Sequence, residues 1–328
     1  MNMDFRKLLT REELEPFLQK SDAWGLWLLV CNWGLIAAAF ALVAFWPNLL
    51  TCLVAVIVLA NRQLGISVLM HDCSHQALFR SRGLNQWVGK WLCAAPVFAD
   101  LDGYRRYHMR HHRDAGTTAD PDYPNYKNYP VTKMSVVRKT LRDLVGYTGL
   151  KTFYAVLLMH AGLLEYDMSY QHHRARKRPG PLAIMGNLAR NLWAPVLVNV
   201  GLWVLLYSTG HGYLFGLWVL AYLTLFMFFA RMRNAAEHAN VPDLLDRDPR
   251  LHARTTHVNW LERLTFAPNH VNYHMEHHWA PGVPPYRLAA LHRFLTAKGV
   301  LADTPVANSY ADVYRAMVGA PEAIIRTP

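Results

Sequence analysis

Three short histidine-rich runs hold most of the chemistry this chain can offer. HDCSH places His71 and His75 four apart, HMRHH holds His108, His111 and His112, and HMEHH holds His274, His277 and His278. On a helix, residues three and four apart share a face, so each run aims two or three imidazoles one way. Neutral imidazole is a good ligand for zinc, iron or copper. Like ionisable groups crowded together without a counter-ion are costly, so three such runs point to bound metal. A fourth element, NAAEH, adds His238 as a ninth imidazole. Asn234 sits four residues before it on the same face, placed to hold a metal-bound water, with Glu237 between them.

The other histidines of the seventeen carry less. His270 lies four before His274, which leaves a ligand role open for it. His172 and His173 lack the third member of a run and read as a basic loop. His160, His211, His252, His257 and His292 have no cluster partners. Ligating imidazoles usually give their other N–H to a carboxylate or carbonyl. Asp72, Asp114, Asp120, Asp122, Glu237 and Glu276 are near enough in sequence to serve, with Asp72, Glu237 and Asp122 favoured.

The elements that must position these residues are apolar. Hydrophobic residues make up 52% and charged residues 17%, the latter below the roughly 25% of soluble domains. From Ala23 to Asn61, and again from Asn191 to Ala230, there is no Asp, Glu, Lys or Arg. Each stretch is about twice the ~20 residues that cross a bilayer. Each also breaks near its middle, at Trp46-Pro47-Asn48 and at Ser208-Thr209-Gly210-His211-Gly212. This predicts two helical hairpins, with spans at about 24–46, 49–70, 191–208 and 213–231. Apart from Arg62, and Arg231 at the very end of the last span, basic residues lie outside these hairpins, which places segments 1–22, 71–190 and 232–328 on the cytoplasmic side. The net charge of +11 is thus a topology signal with some attraction to anionic lipid, and no nucleic-acid partner is expected. Asn61, Arg62 and Gln63 interrupt the second span and either line a substrate passage or pack against polar groups of neighbouring helices.

The remaining segments fill out an all-α integral membrane fold, a single domain over 1–328. The first 22 residues read as an interfacial helix, with no cleavable signal peptide visible. Segment 77–99 is expected along the interface, 114–135 as an ordered loop, and 150–164 as an interfacial helix. Arg174 to Pro181 reads as a basic turn. Pro284 and Pro285 open a helix ending near Gly299, and Ser309 caps another that stops near Gly319. Cys31, Cys52, Cys73 and Cys93 show no CxxC spacing, which argues against a zinc ribbon or iron–sulfur cluster.

At this point the residues resemble a known family. HDCSH, HMRHH, NAAEH and NYHMEHH look like the histidine boxes of the membrane fatty acid desaturase and hydroxylase superfamily. The flanking Asp120-Pro121-Asp122, Ala267-Pro268-Asn269 and Pro281-to-Leu288 agree, and the likeness covers about residues 55–295. It implies four spans under a cytoplasmic helical cap that holds two irons. The implied ligands are His71, His75, His108, His111, His112, His238, His274, His277 and His278, with Asn234 acting through water. It also implies oxygen as co-substrate.

Absences narrow the reading. There is no carboxylate-plus-ExxH pair of a soluble di-iron bundle, no GxGxxG after a strand and no haem-binding HPGG. Electrons must then come from a separate donor of ferredoxin, rubredoxin or cytochrome type, docked on the basic cytoplasmic face. The expected activity is an oxygen-dependent desaturation of a fatty acyl chain or acyl lipid. A hydroxylase or ketolase on the same scaffold is the nearest alternative. A zinc-dependent membrane hydrolase or a metal transporter is the alternative of another class. Zinc usually takes four ligands, and a transporter carries its polar residues inside the spans, so nine clustered histidines at span ends suit two redox metals better.

Overall fold

A computed structural model describes residues 8–168, 174–175, 178–302 and 304–319. His172 and His173, and part of the basic turn before Pro181, lie outside the described residues. Helix α1 (Arg11–Leu18) opens on a capping box between Thr10 and Glu13. Its Phe17 packs on Phe294, ring centroids 5.4 Å apart, and Glu13 pairs with Lys298 at 2.6 Å. The segment expected at the interface therefore also braces the C-terminal part of the chain.

Four helical stretches are long and apolar enough to cross a membrane. Helix α2 (Asp22–Phe45) and helix α3 (Leu49–Ser74) are joined by a short turn in which Asn48 caps α3. Helix α3 runs past the expected end at residue 70 and so carries His71. Between α3 and the next span comes helix α4 (Leu101–Asp114), which carries HMRHH and is capped by Asp100 accepting from the amides of Asp102 and Gly103. Helix α5 (Pro181–Ser208) begins ten residues before the expected start. Pro181 at its first turn is pre-set for helix, and residues 181–190 are mostly helix formers, so the helix forms before the uncharged stretch begins.

The fourth stretch, Gly212–His238, is broken. Helix α6 (Phe215–Leu223) and helix α7 (Leu225–His238) meet at Thr224, whose φ of −116° and ψ of −93° are not helical. The Thr224 hydroxyl donates to the Leu220 carbonyl at 2.6 Å, a back-bond that bends helices.

Helix α3 is the central element. It packs against α2, α6, α7 and the turn at 89–94, and 67% of its most apolar window is buried within the protein, against 22–33% for the other three. The core between the spans is built from Ile36, Leu59, Leu64, Leu214 and Trp218. Segment 77–99 folds as Arg82–Val88, a wide turn at Gly89–Ala94 and a tight one at Ala95–Val97, packed beneath α3.

The polar triplet of α3 packs against polar groups. Asn61 donates to the Thr265 carbonyl at 2.6 Å and Gln63 to the Trp218 carbonyl at 2.9 Å. Arg62 donates to Asn32 Oδ1 at 3.2 Å and to Asn61 Oδ1. Asn32 reaches Asn269 at 2.9 Å, and Asn269 returns to the Gly65 carbonyl at 2.7 Å. Gly65 has to be glycine here, since a Cβ would stand 2.1 Å from Asn32 Oδ1. This seam fastens the membrane helices to the loop that precedes the third histidine run.

Within 114–135 there is one helical turn, Tyr123–Tyr126, and Lys133–Leu144 forms a helix beyond it. Tyr147–His160 is helical as well. After α7 the chain forms a two-residue strand, Thr255–Thr256, paired in parallel with Val306–Ala307. Helix α8 (His274–Trp279) carries HMEHH. Helix α9 (Pro285–Ala297) ends before Gly299, whose φ is +73°. Ser309 caps the helix Tyr310–Ala316.

Candidate metal centre

The nine imidazoles gather into two groups. His71, His75, His108, His112 and His277 form the first, and His111, His238, His274 and His278 the second; one nitrogen per ring lies within 4.8 Å of the others in its group. Each HxxHH run serves both groups. His108 and His112 join the first while His111 joins the second, and His274 and His278 join the second while His277 joins the first. The sequence suggests one face per run. With 3.6 residues per turn, neighbouring residues diverge by roughly 100°, so 111 and 112, or 277 and 278, aim at different centres.

The tautomers follow from the partners. His238 Nδ1 lies 2.8 Å from the His252 carbonyl oxygen, which can only accept. Nδ1 therefore carries the proton and Nε2 is a bare lone pair. It faces His274 Nε2 at 2.9 Å. His274 Nδ1 points at the Glu237 carboxylate at 3.4 Å, so its Nε2 is a lone pair too. His111 Nδ1 donates to Asp120 Oδ1 at 2.8 Å, and its Nε2 stands 3.2 Å from His278 Nε2. In the first group His112 Nε2 lies 3.0 Å from the Nε2 atoms of both His108 and His277. His71 donates from Nδ1 to Asp72 at 2.9 Å, and its Nε2, like that of His75, is buried with no hydrogen-bond partner. Facing lone pairs and orphaned buried nitrogens are costly on their own. Positive ions between them would satisfy every one, so the residues present fit two metal ions.

Burial first, and the neighbouring rings second, push His75, His108, His112, His274, His277 and His278 well below the ordinary imidazole value. They stay neutral and free to ligate. Burial would also lower His111, but the Asp120 carboxylate outweighs it and the net direction is upward. Burial would raise Asp120; His111, Tyr126 and the Asp122 amide hold it below the usual carboxylate range. Tyr126 donates to Asp120 Oδ2 at 2.5 Å and stacks on His238, ring centroids 4.9 Å apart.

Other expected supports sort themselves by contact. Glu237, which faces His274, is held by Arg233 through two bonds of 2.5 Å. Asp122 lies 3.6 Å from His111 Nδ1 and accepts from Tyr107 at 2.6 Å. Asp114 is taken by Arg113 at 2.7 Å, and Glu276 by Thr255 at 2.5 Å and by His292, so neither serves these rings. His270 does not share a helix face with His274, because α8 begins only at His274. Asn269 and His270 both have positive φ, 55° and 65°, and His270 turns toward Arg263 and Tyr273. Asn234 is half-buried on α7, one turn before His238. His160 donates from Nε2 to the Phe98 carbonyl oxygen at 2.9 Å, apart from both groups.

His252 is the residue that spacing could not show. It is buried, its ring lies parallel to that of His238 at 6.3 Å, and it meets His278 edge-on at 5.3 Å. It lies fourteen positions after His238, across a polar connection, so no helical periodicity ties it to any run.

The sequence profile of the fatty acid desaturase family matches residues 44–306, a stretch that contains all nine rings. The chain belongs to the fatty acid desaturase family. Three relatives of established name agree. The chain is 24% identical over 276 residues to a dihydrorhizobitoxine desaturase of Bradyrhizobium elkanii, covering 81% of this chain and 74% of the relative. It is 25% identical over 158 residues to an sn-1 acyl-lipid omega-3 desaturase (ferredoxin) of Synechocystis sp., covering 48% and 40%. It is 22% identical over 234 residues to an sn-1 oleoyl-lipid 12-desaturase of Arthrospira platensis, covering 68% and 62%. The chain thus spans less than two thirds of the two acyl-lipid relatives. With its four apolar helices, family membership makes this a multi-pass membrane protein of desaturase type, an oxidoreductase, and the buried histidine cluster is its candidate metal site.

Proposed function

We propose that this chain is an oxygen-dependent di-iron desaturase that introduces a double bond into a fatty acyl chain or acyl lipid. The observation that carries the reading is the set of opposed Nε2 lone pairs in two groups of five and four imidazoles. In this reading the first five rings hold one iron. His111, His238, His274 and His278 hold the other, with Asn234 acting through water. When bound, the irons supply the oxygen and electron chemistry that removes hydrogen from unactivated CH₂ groups.

The chain's own residues have three tasks. Asp72, Asp120, Glu237 and the His252 carbonyl hold the Nδ1 protons of His71, His111, His274 and His238. This fixes each tautomer and aims each Nε2 inward. Burial of the rings keeps bulk water from the centre. The spans bring a lipid-partitioning substrate to it. We read residues 1–328 as one membrane domain with the spans paired as two hairpins, and segments 1–22, 71–190 and 232–328 forming a helical cap on the cytoplasmic side. Its basic surface docks an acidic donor of ferredoxin, rubredoxin or cytochrome type, and the relative named for ferredoxin supports the first. Turnover with such a donor falls with rising ionic strength if charge guides the docking.

The test is product analysis in a host that lacks desaturases, supplied with a reductant system, with His111→Ala as control. An acyl product two mass units lighter, absent from the control, supports the desaturase. A product sixteen units heavier makes it a hydroxylase. A second reading, a non-lipid small molecule as substrate, is favoured by one observation: the relative matched over 81% of this chain is named for dihydrorhizobitoxine rather than for an acyl lipid. Purified protein that turns over added small molecules and leaves lipids unchanged would decide for it.

A further inference from the structure

We infer that His252 supplies a fifth imidazole to the second group through Nε2, so that both groups are built from five rings. The inference rests on the two-metal reading above. His252 is 4% exposed. Its Nδ1 lies 2.9 Å from the Asp246 carbonyl oxygen. A carbonyl cannot donate, so Nδ1 holds the proton and Nε2 is a bare lone pair. That Nε2 is buried and meets no hydrogen-bond donor.

Among the described histidines, only His71 and His75 share this condition of an orphaned, buried Nε2, and both belong to the first group. The placement matches as well. The ring of His252 is 5.3 Å from that of His278. Ring pairs already inside the second group stand at similar spacing, 5.1 Å for His111 with His238 and 4.6 Å for His274 with His278. His252 stands at the rim of the set, outside the 4.8 Å that encloses the other four nitrogens.

Two contacts tie His252 to the group from both sides of the residue. Its backbone carbonyl accepts the Nδ1 proton of His238 at 2.8 Å, and its ring lies parallel to the His238 ring at 6.3 Å. One residue thus orients a ligand through its main chain and offers a nitrogen through its side chain. Its backbone is fixed by the turn Pro249–His252, which Asp248 caps by accepting from the Arg250 amide at 3.0 Å. A buried donor-free imidazole nitrogen beside four inward-facing ones calls for the cation that they share.

The competing account is a purely structural His252 whose Nε2 meets only water. His252→Asn separates the two. The asparagine amide can keep the donation to Asp246, while the Nε2 position is removed. The full chain, purified in detergent, is loaded anaerobically with Fe(II) and dialysed against graded chelator, and iron per chain is measured by mass spectrometry. Wild type is expected to keep two irons. His252→Asn is expected to release one of them at a chelator concentration about 10-fold or more lower and to keep the other. Should His252→Asn not elute as wild type does, His252→Gln carries the same comparison, since its amide reaches the Nε2 position but ligates more weakly than imidazole. A variant that elutes as wild type and holds both irons as tightly overturns the role of His252 and leaves the two-metal reading standing. Wild type that binds no stoichiometric iron overturns both. Asn234→Ala, run alongside, reports the water-mediated contribution; release from it alone, with His252→Asn unaffected, counts against His252.

Discussion

Asp120→Asn is the substitution that asks most of the second group. The carboxylate is 5% exposed and accepts three bonds: from His111 Nδ1 at 2.8 Å, from the Asp122 amide at 2.8 Å and from Tyr126 at 2.5 Å. Asparagine keeps the size but removes the charge and turns one acceptor oxygen into a donor. Two of the three bonds come from side chains to an ionised carboxylate, and hydrogen bonds to charged groups contribute about 1.5–3 kcal/mol each. An NH₂ group facing His111 meets a donor and loses that bond; facing Tyr126 it can donate to the hydroxyl, but the bond to His111 then runs to a neutral amide oxygen and weakens. If the loss falls on the bound state, about 1.4–2.8 kcal/mol of metal affinity corresponds to about 10- to 100-fold, the range typical for residues that orient a ligating histidine. Iron retention against graded chelator, with thermal unfolding of the metal-free protein as a control, reads this directly. The expected result is weaker retention of one iron with a small change in the metal-free midpoint. Unchanged iron retention and unchanged turnover would refute the idea that Asp120 orients a ligand.

Other outcomes follow from the same geometry. His277→Ala should abolish product formation while membrane insertion, followed by fractionation and elution profile, stays as in wild type; His211→Ala, in the turn at the far end of α5, should leave product unchanged. In the metal-free protein, six rings with depressed values resist a proton that the unfolded chain accepts near pH 6.5. Their stability contribution is therefore present above that pH and declines as pH falls below it, by up to about 1.4 kcal/mol per pH unit for each proton taken up. His111, shifted upward, opposes with one proton; iron loading, which displaces that proton, should leave the slope at least as steep, and denaturation midpoints in detergent from pH 8 to pH 5 show the sign. Gly65→Ala drives a Cβ to 2.1 Å from Asn32 Oδ1 and should cost about 1–3 kcal/mol by overpacking, seen as a lower thermal midpoint. Asp143→Asn strips the charge from a carboxylate that is fully buried against Arg231, at 2.6 and 2.8 Å. Arg231 retains 23% exposure, so the cost should sit near the low end of the buried-pair range, about 3 kcal/mol, read from the same melts.

The apolar helices were legible because the absence of charge over long stretches leaves lipid as the only fitting solvent. Their ends were less so. Pro181 starts α5 early, and α3 continues to Ser74, since neither boundary coincides with where charge resumes. The break at Thr224 had no signal, because a threonine in an apolar run is ordinary. The gathering of His71, His75, His108, His111, His112, His238, His274, His277 and His278 could be anticipated from spacing within helices. Their division into two groups could not, since it depends on how α3, α4, α7 and α8 are placed around each other. His252 and Tyr126 stand in isolated single turns between loops, where sequence distance says nothing about spatial distance. Asp122 was favoured over Asp120, yet Asp120 makes the closer bond to His111, 2.8 Å against 3.6 Å. Asn61, Arg62 and Gln63 were visibly out of place in a span, but their partners at Thr265, Trp218 and Asn32 come from tertiary packing.

The break at Thr224 has a mechanical consequence. An unbroken rod from Gly212 to His238 would transmit any tilt imposed by a thicker or thinner bilayer to its far end, where His238 sits. Divided at Thr224, α6 and α7 take separate directions while both pack on α3, and α7 packs further on Lys133–Leu144 and on Tyr310–Ala316. The direction of α7, and with it the placing of His238, is thus set by packing on its own side of the break rather than by the axis of α6.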